Sequence, residues 1–571
     1  MPPMTGKHIL CEMLRAEGVR YVFGNPGTTE TPFLDALQDY PDVQYVTFLQ
    51  EASAVAAADG YARATRRPAF VNVHVSAGFA NALGNLYNAY RGGTPLVVTA
   101  GQSDTRIIHR EPTLWSNMVN LGREYTKWSA EVLHAADLPM LVRRAFRVAA
   151  TPPTGPVFLT LPWDVLDAEA EAQVTPSSPV YGHVRPDTAA VAAAVELLAR
   201  AERPLMVVGD RVAQSGGVQE AVRLAELLGA PVYAAAYSEV NFPQSHPLFQ
   251  GALNLGWPGR AVRATLEGAD AILAVGCDVF AQFVYTPEPL LGPDARLVHL
   301  DVKAWEIEKQ YPVAVGMWAD PRAGMADLAD ALEGALPGTA REAARDRLAA
   351  ARAAKEQRRE AFWKRARDLR GKTPIAPEVL MATLKEVAPQ GTIVVDEAIT
   401  NRPPLHAAFE FSTPGELFGI RGGGLGFALP GAVGVKLAHP DRPVLCVSGD
   451  GAAMYVIQAL WSAARHRLPI VYVICNNGSY KVLKEGMVRY LAGTGRESAF
   501  VGMDFTEQPL NAAKVAEGFG VLGLRVERPE ELRPALERAF AAGSPTLVDV
   551  VVDENLRTEA LQQDWLSWQR T

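Results

Sequence analysis

The sequence has little cysteine, and its four cysteines lie far apart in 571 residues. None of them belongs to a CxxC pair, so neither a disulfide scaffold nor a zinc or redox motif is predicted. No apolar run approaches the roughly 20 residues that a membrane-spanning helix needs. The first residues, MPPMTGKHILCEML, contain neither the long apolar segment nor the cleavage signal of a secretory leader. These absences favour a cytoplasmic protein.

The sequence also lacks a strong excess of charge of one sign. Lys and Arg number 55 and Asp and Glu number 63, which gives a formal net charge of −8. A mildly acidic chain is not expected to be a dedicated nucleic-acid binder. Hydrophobic residues make up 48% of the chain, too many for an intrinsically disordered protein of such small net charge. We therefore expect large apolar cores and more than one domain.

Short apolar runs rich in Val, Ile and Leu recur along the chain, separated by Ala-rich amphipathic stretches. Such runs, alternating with helices, are typical of parallel strands that are covered on both faces. We therefore predict the α/β class, with several doubly wound parallel sheets. The runs are Phe70–Val75, Pro95–Ala100, Val157–Leu161, Leu205–Gly209, Ala271–Gly276, Arg296–Leu300, Thr392–Val395, Val444–Val447, Ile470–Cys475 and Thr546–Val552.

Two connectors divide the chain into blocks. Asp167–Pro186 is rich in Pro, Ser and Glu and lacks periodicity, whereas Gly338–Lys372 is dense in Ala, Arg and Glu. The second composition predicts an exposed, charged helix with ion pairs at i,i+4 spacing. We therefore predict three α/β domains, at residues 1–170, 187–337 and 373–555, followed by a C-terminal tail at 556–571.

The strongest functional signal is a pair of polar clusters in the third block. Ser448-Gly449-Asp450-Gly451 follows the apolar run VLCV, and Asn476-Asn477-Gly478 follows IVYVIC. A helix-like stretch, MYVIQALWSAARHR, lies between them, so both clusters are predicted at carboxyl ends of parallel strands, where such sheets bind ligands. The side-chain oxygens of Asp450 and Asn477 are hard ligands for Mg²⁺, and the glycines and a helix N-terminus suit a phosphate. Two polar loops without a ligand are the alternative.

A GDG motif and an NN pair with this separation resemble the signature of the enzymes that depend on thiamine diphosphate (ThDP). The resemblance implies that Asp450 and Asn477 bind Mg²⁺ through their side chains and Ser479 through its main-chain oxygen. The metal would then bridge to the diphosphate, so ThDP and Mg²⁺ are the implied cofactors. Further implied contacts to the diphosphate are those of Thr400, Gly449, Gly451 and Tyr480.

An enzyme of this family needs a glutamate beside the pyrimidine ring of ThDP, where it promotes the tautomer that takes the proton from the thiazolium carbon. Glu51 matches that residue in the segment FLQEASAVAAADGYARAT. A carboxylate that merely caps a helix or favours its dipole is the alternative. In RGGGLGFALP, which starts at Arg421, the family resemblance implies a carbonyl contact from Gly423 to the ring's amino group and bending of the cofactor by Leu425.

The resemblance covers residues 5–555 and implies a pyrimidine-binding domain, a middle domain and a diphosphate-binding domain. Within the family, the sequence is similar to the benzoylformate decarboxylases in GNPGTTE (24–30), NVHVSAGFANALGNLYNA (72–89) and LVVTAGQ (96–102). This similarity implies a substrate-facing hydroxyl at Thr28 and proton transfer by His74, whose imidazole titrates near neutral pH.

One position departs from that pattern. Phe283 stands where these enzymes have a second active-site histidine, and a phenyl ring cannot carry a proton. His109 is a candidate substitute, although an exposed or structural histidine is the alternative. Arg110 and Arg421 are candidates for pairing with a substrate carboxylate or a CoA phosphate, or else salt-bridged surface residues.

The expected activity is decarboxylation of a 2-oxo acid, with an enamine intermediate that is protonated or joined to an aldehyde. The departure at Phe283 favours the second outcome. An acetolactate-synthase-like or 2-hydroxyacyl-CoA-type carboligase or lyase is the alternative within the family. A nucleotide-binding α/β protein without catalysis is the alternative outside it.

The resemblance also has consequences for assembly. In the family, the glutamate that matches Glu51 and the aspartate that matches Asp450 come from neighbouring subunits. We therefore expect a homodimer or homotetramer with active sites at the interface, 2-oxo acids and aldehydes as small-molecule partners, and neither nucleic acid nor a membrane. The tail is amphipathic, and we expect it to pack on another domain or subunit or to close over the substrate; its apolar residues are Leu561, Trp565, Leu566 and Trp568.

Overall fold

In the computed structural model, the chain forms three six-stranded parallel sheets with apolar cores on both faces of each. The structure describes residues 3–179, 181–236, 238–253, 259–279, 282–285 and 289–569, and the side chains of 260 and 564–569 lie outside that description. The predicted α/β class is confirmed, and each predicted apolar run coincides with a strand to within two residues at its ends.

The N-terminal region begins with a short antiparallel ribbon of β1 (Met4–Thr5) and β8 (Glu169–Ala170). Its sheet strands are β2 (Tyr21–Asn25), β3 (Gln44–Thr47), β4 (Ala69–Val73), β5 (Leu96–Gln102), β6 (Ser129–Glu131) and β7 (Val157–Pro162). They lie in the order β3-β2-β4-β5-β7-β6. The helices are α1 (Gly6–Ala16), α2 (Thr31–Leu37), α3 (Glu51–Thr65), α4 (Val75–Gly92), α5 (Met118–Gly122), α6 (Leu138–Ala150) and α7 (Trp163–Asp167), with 3₁₀ turns at Thr28–Glu30, Ile108–Arg110, Arg123–Tyr125 and Ala135–Asp137.

The middle region has strands β9 (Pro204–Val208), β10 (Val232–Ala234), β11 (Phe249–Ala252), β12 (Ala271–Val275), β13 (Arg296–Asp301) and β14 (Val315–Trp318). Their order is β11-β10-β9-β12-β13-β14, the order of a dinucleotide-binding sheet. The helices are α8 (Thr188–Ala199), α9 (Asp210–Gln214), α10 (Val218–Leu228), α11 (Arg260–Glu267) and α12 (Pro321–Ala335), with a 3₁₀ turn at Ala304–Glu306. The predicted charged helix follows as α13 (Gly338–Asp368), 31 residues long.

The C-terminal sheet repeats the strand order of the N-terminal sheet. Its strands are β15 (Ile393–Glu397), β16 (Leu417–Gly419), β17 (Val444–Gly449), β18 (Ile470–Asn476), β19 (Leu522–Val526) and β20 (Thr546–Val551). They lie in the order β16-β15-β17-β18-β20-β19. The helices are α14 (Pro377–Val387), α15 (Arg402–Phe409), α16 (Ala428–Ala438), α17 (Asp450–Met454), α18 (Ala459–Arg465), α19 (Lys481–Leu491), α20 (Ala512–Gly518), α21 (Pro529–Ala541) and α22 (Thr558–Gln569), with a 3₁₀ turn at Ile399–Asn401.

The N- and C-terminal regions share one apolar core, in which helix α3 packs against helix α16. The backbones approach so closely that a Cβ added at Gly60 would lie 2.3 Å from the carbonyl oxygen of Gly431. One added at Gly434 would lie 1.8 Å from the carbonyl oxygen of Ala57. The small residues of both helices therefore permit this close contact.

One local prediction was too simple: the helix-like stretch after the GDG motif consists of two short helices, α17 and α18, separated by turns at residues 455–458. In the described part of the chain, no helix is both long and apolar enough to cross a membrane.

Candidate active site

Asp450 lies where strand β17 ends and helix α17 begins. Its side chain is buried, and its two oxygens accept hydrogen bonds of 2.8 Å from the backbone N–H groups of Gly451 and Gly478. Burial raises the pKa of this carboxyl group to about 6. A cation beside the carboxylate would offset the cost of burying its charge. The environment of Asp450 therefore fits a hard divalent cation.

The loop after strand β18 turns at Gly478, which has a φ of +69°. The side-chain oxygen of Asn477 accepts a hydrogen bond of 3.1 Å from the N–H of Ser479. The hydroxyl of Ser479 donates to Glu554 at 2.6 Å, so that hydroxyl is already engaged. Among the described residues, no group of three or more His, Cys, Asp and Glu forms a metal cluster. A magnesium site here thus needs the amide and main-chain oxygens that the motif predicts.

The glycines at this edge of the sheet differ in what a side chain would meet at their positions. A Cβ added at Gly423 or Gly449 would meet no protein atom within 4 Å, so open space lies beside both backbones, as a bound diphosphate or ring requires. At Gly451, an added Cβ would lie 2.5 Å from the ring of Tyr480. Gly451 is therefore required by the packing of the Tyr480 ring, and the predicted approach of its backbone to a phosphate stays a prediction.

Glu397, the last residue of β15, has a structural role that the sequence motifs did not reveal. It is fully buried and accepts hydrogen bonds from the N–H groups of Gly426 at 2.7 Å, Phe427 at 3.0 Å and Ala428 at 2.8 Å. Burial raises its pKa to about 7. The carboxylate satisfies the first N–H groups of helix α16. It thereby anchors the backbone next to Leu425, which is half-buried.

Glu51 is the first residue of helix α3 and is 6% exposed. The side chain of Gln50 already caps this helix, so the alternative in which Glu51 is only a helix cap is not supported. Asn25 and Asn81 donate to the two carboxylate oxygens of Glu51 at 3.0 and 3.1 Å. A Cβ added at Gly78 would lie 3.0 Å from one of these oxygens. The carboxylate is thus held by two amides and a close glycine contact.

His74 precedes helix α4, and its Nδ1 lies 2.8 Å from the carboxylate of Glu30. Glu30 is buried and also accepts the N–H groups of Gly27 and Gly101, both at 2.8 Å. The hydrogen bond to Glu30 raises the pKa of His74 against the opposing effect of burial. A residue that holds its proton to higher pH can serve as a proton donor near neutral pH.

The hydroxyl that lies beside His74 belongs to Thr29, the neighbour of the predicted substrate contact Thr28. Thr29 Oγ1 lies 3.1 Å from His74 Nδ1, whereas the side chain of Thr28 is exposed at the start of its 3₁₀ turn. The structure thus brings Thr29, and not Thr28, against the histidine. A contact of Thr28 with substrate stays a prediction.

Two β-branched residues with left-handed backbone flank predicted site residues. Val75, next to His74, has a φ of +33°, and Ile399, next to Thr400, has a φ of +47°. This conformation is costly for a β-branched side chain. Such strain is concentrated at functional sites, where surrounding contacts hold the backbone in place.

Arg421 is salt-bridged, as one of its two alternatives proposed, but it is buried and does not lie on the surface. Its guanidinium is buried, 2.9 Å from the carboxylate of Asp210 and 2.7 Å from that of Glu239. Glu239 also pairs with Arg63 of helix α3 at 3.2 Å. This arginine therefore belongs to a buried ion network that joins the three regions of the chain, and its pairing with a substrate carboxylate or a CoA phosphate stays a prediction.

The other candidates are exposed side chains or belong to the C-terminal tail. Phe283 is 81% exposed. His109 and Arg110 are exposed on a short 3₁₀ turn. In the tail, helix α22 packs against helix α19, whereas the predicted roles of Trp565, Leu566 and Trp568 lie outside the described side chains.

A cavity of about 830 Å³ connects the edge of the C-terminal sheet to the middle region. Thr400 and Gly423 line one end, and Arg211 and Asp278 line the other. Val482, which follows Tyr480 closely in sequence, also lines it. The cavity thus gives a small molecule access to the predicted cofactor residues.

The comparisons with known proteins agree with this geometry. Three family models match the chain: the N-terminal thiamine pyrophosphate binding domain at residues 4–121, the central domain at 191–328 and the C-terminal thiamine pyrophosphate binding domain at 404–550. The benzoylformate decarboxylase of Pseudomonas aeruginosa is 36% identical over 94% of this chain and 97% of its own length. A probable acetolactate synthase large subunit of Methanocaldococcus jannaschii is 28% identical over 96% of this chain and 92% of its own length.

A solved structure leads to the same conclusion. The thiamine diphosphate-dependent 4-hydroxybenzoylformate decarboxylase of Rhodococcus jostii superposes with a TM-score of 0.82 at 33% identity, covering 97% of this chain and 100% of that one. The resemblance inferred from the motifs is confirmed: the chain belongs to the family of thiamine diphosphate-dependent enzymes.

Proposed function

We propose that the protein is a ThDP- and Mg²⁺-dependent decarboxylase of 2-oxo acids of the benzoylformate type, which also joins the decarboxylated acyl unit to aldehydes. The observation that carries this proposal is the 2.8 Å contact between His74 and the buried Glu30. This contact raises the pKa of a histidine at the carboxyl edge of the N-terminal sheet, the edge that Glu51 also follows. A decarboxylation that ends in an aldehyde consumes one proton, and His74 is suited to deliver it.

The residues at the two sheet edges fit the cofactor. Asp450, Asn477 and the main-chain oxygen of Ser479 would hold Mg²⁺, since carboxylate and amide oxygens are its preferred protein ligands. The open space beside Gly423 and Gly449 would receive the ring and the diphosphate. Thr400 and Tyr480 would add contacts to the diphosphate. When bound, ThDP supplies the carbon nucleophile and the electron sink.

The protein's own side chains would orient the cofactor and supply the proton that the reaction consumes. Glu51, held by Asn25 and Asn81, would form a hydrogen bond with a ring nitrogen of the pyrimidine and favour the tautomer that takes the proton from the thiazolium carbon. Leu425, next to the backbone that Glu397 anchors, would limit the conformations of the cofactor. Glu30 would keep His74 oriented and protonated.

We further propose that the active sites lie between two chains, in a homodimer or homotetramer. Large apolar side chains are exposed beside both sheet edges: Leu49 precedes Glu51 by two residues and is 47% exposed, and Tyr455 follows the GDG motif and is 55% exposed. Val482 and Leu483, just after Tyr480, are 46% and 50% exposed. Burial of these side chains against a second copy would remove an apolar surface from water.

Carboligation or C–C cleavage as the main activity is the second candidate. It is favoured by Phe283 at the place of a proton-carrying residue and by the acetolactate synthase relatives. A CoA or nucleotide substrate is less well supported. In the crevice of the middle sheet, Arg211 is paired with Asp301 at 2.7 Å and with Asp278 at 2.9 Å. Carboxylates there would repel a phosphate.

The test is to supply the purified protein with ThDP and Mg²⁺ and to follow CO₂ and organic products together. Benzoylformate, 4-hydroxybenzoylformate and pyruvate are each offered with and without an added aldehyde. We expect CO₂ and the matching aldehyde from an aryl substrate alone. Slow aldehyde release, with rapid hydroxyketone formation once the acceptor is added, would make the chain a carboligase. No CO₂ from any of them would overturn the proposed decarboxylase.

A further inference from the structure

Three asparagines, Asn81, Asn85 and Asn88, lie at helical spacing on one face of helix α4, and we call them the asparagine ladder. Asn85 and Asn88 are buried, with 2% and 1% exposure, and Asn81 is exposed beside Glu51. Buried amides are costly unless their hydrogen bonds are satisfied. The contacts of the ladder therefore indicate why these positions are polar.

The first end of the ladder holds the start of helix α3. Asn81 Nδ2 donates to Glu51 at 3.1 Å. One turn further along helix α4, Asn85 Nδ2 donates to the carbonyl of Ala52 at 3.1 Å. Both the carboxylate of Glu51 and the backbone that follows it are thus tied to the same helix.

The second end holds the glycine-rich segment before helix α16. Asn88 and Gly424 bond in both directions: the side-chain amide donates to the Gly424 carbonyl at 2.7 Å, and the Gly424 N–H donates to Asn88 Oδ1 at 2.9 Å. Asn85 donates to the carbonyl of Gly426 at 3.1 Å. These bonds hold the backbone on both sides of Leu425.

The two ends are linked within the helix, since Asn88 Nδ2 also donates to Asn85 Oδ1 at 2.9 Å. The glycine segment is shaped to fit the ladder. A Cβ at Gly422 would lie 2.8 Å from Asn88 Oδ1, and one at Gly424 would lie 3.0 Å from it. A side chain at either position would therefore push the segment away from helix α4.

We propose that Asn85 and Asn88 are positioning residues for the reaction: they fix the segment Gly423–Gly426 against the start of helix α3 that carries Glu51. This proposal rests on the proposed function, in which Glu51 and Leu425 act on the same kind of cofactor. If each site combines two chains, it receives the Glu51 end of one ladder and the glycine end of the other. A displacement of about 1 Å in such a group costs roughly 10²-fold in rate.

The variants are Asn88→Ala and Asn85→Ala, with Asn72→Ala as the matched control. Asn72 is also buried in the N-terminal region, but its amide donates to Thr99 at 3.1 Å and not to the glycine segment. We would measure hydrogen exchange of residues 421–430 without cofactor, because the Gly424 N–H reports directly on Asn88. ThDP affinity, kcat and KM would be measured on the loaded enzyme.

We expect faster exchange in residues 421–430 for both ladder variants, with kcat lowered by roughly 10²-fold and KM changed by less than about threefold. Asn72→Ala should leave both exchange in this segment and kcat close to wild type. Unchanged exchange in Asn88→Ala, or equal effects in Asn72→Ala, would overturn the proposal. If Asn88→Ala does not fold, Asn85→Ala decides alone. A wild-type protein without decarboxylase activity would refute the proposed function, whereas the exchange result still tests the ladder.

Discussion

The N- and C-terminal sheets have the same strand order, but different residue types follow the equivalent strands at their carboxyl edges. After the second strand of each, the chain has Glu51 in one and Gly423 in the other. After the third, it has His74 in one and Asp450 in the other. The N-terminal edge presents the side chains of a glutamate and a histidine, and the C-terminal edge presents glycine backbone and the side-chain oxygens of Asp450. One scaffold can therefore supply either half of a site, depending on the few residues that follow its strands.

The largest effect on kcat is expected from replacing the carboxylate of Glu51 at the N-terminal edge. Glu51→Gln keeps the shape but removes the charge, so kcat should fall by roughly 10²- to 10⁴-fold while ThDP still binds. Steady-state kinetics and a ThDP titration check both parts. Glu131→Gln is a suitable control, since Glu131 accepts a hydrogen bond from Thr160 in the same region. Wild-type kcat in Glu51→Gln would contradict the assignment.

The next effect concerns how the two sheets are held together. Burial tends to raise the pKa of Glu239, but Arg66, Arg421 and Arg63 lower it to about 2, from an ordinary 4.5. Its contribution to stability is therefore present above pH 4.5 and is lost as the pH falls from there towards 2.

Glu239→Gln leaves buried arginines without their counter-charge and should lower the free energy of unfolding by about 3–5 kcal/mol at pH 7. The difference in the free energy of unfolding between the variant and wild type should shrink below pH 4.5. There the unfolded chain takes up a proton that the folded protein does not, and this lowers the stability of wild type. Urea denaturation at pH 7 and at pH 4 measures this. An equal difference at both values would show that the network is not electrostatic in origin.

A smaller effect, on the pH dependence of kcat, tests whether His74 donates a proton in the reaction. The hydrogen bond to Glu30 raises the pKa of His74, so a step that needs protonated His74 slows as the pH rises through that pKa. In Glu30→Gln, this alkaline fall in kcat should move to lower pH. The pH dependence of kcat for both proteins is the measurement. An unshifted alkaline limb would remove His74 from the proton-transfer step.

The smallest effect compares two glycines of the GDG motif. Gly449→Ala adds a methyl group to open space, so it should weaken ThDP binding and leave the thermal midpoint close to wild type. Gly451→Ala drives a methyl group to 2.5 Å from the Tyr480 ring, and the overpacking should cost about 1–3 kcal/mol. Thermal unfolding without cofactor and ThDP titration separate the two. Equal loss of stability in both variants would contradict the difference in their surroundings.

Local patterns in the sequence were sufficient to predict the strands and to place Asp450 and Asn477 at the ends of two of them. Continuous apolar runs predicted the buried parallel strands, and Asp450 and Asn477 stand in short motifs directly after two of them. The residues that were missed act over long sequence distances. Glu30 reaches His74, Glu397 reaches Gly426, and the asparagine ladder reaches the glycine segment from another region of the chain.

Arg421 shows that distant residues can also change the interpretation of a residue that the sequence did single out. Its charge next to a glycine-rich segment suggested a ligand contact, but Asp210 and Glu239, which neutralise it, lie about 200 residues earlier in the chain. Only the packing of the three regions brings these groups together. The backbone strain at Val75 and Ile399 likewise has no signal in the sequence, because both residues are ordinary strand formers.

The central claim is that catalysis requires the N-terminal edge of one chain and the C-terminal edge of another. It is tested most directly by mixing Glu51→Gln chains with Asp450→Asn chains, exchanging their subunits and measuring CO₂ release. We predict that each variant alone is nearly inactive and that mixed oligomers regain activity, since one of their sites combines an intact Glu51 with an intact Asp450. No recovery in oligomers shown to be mixed, or substantial activity of either variant alone, would contradict this account.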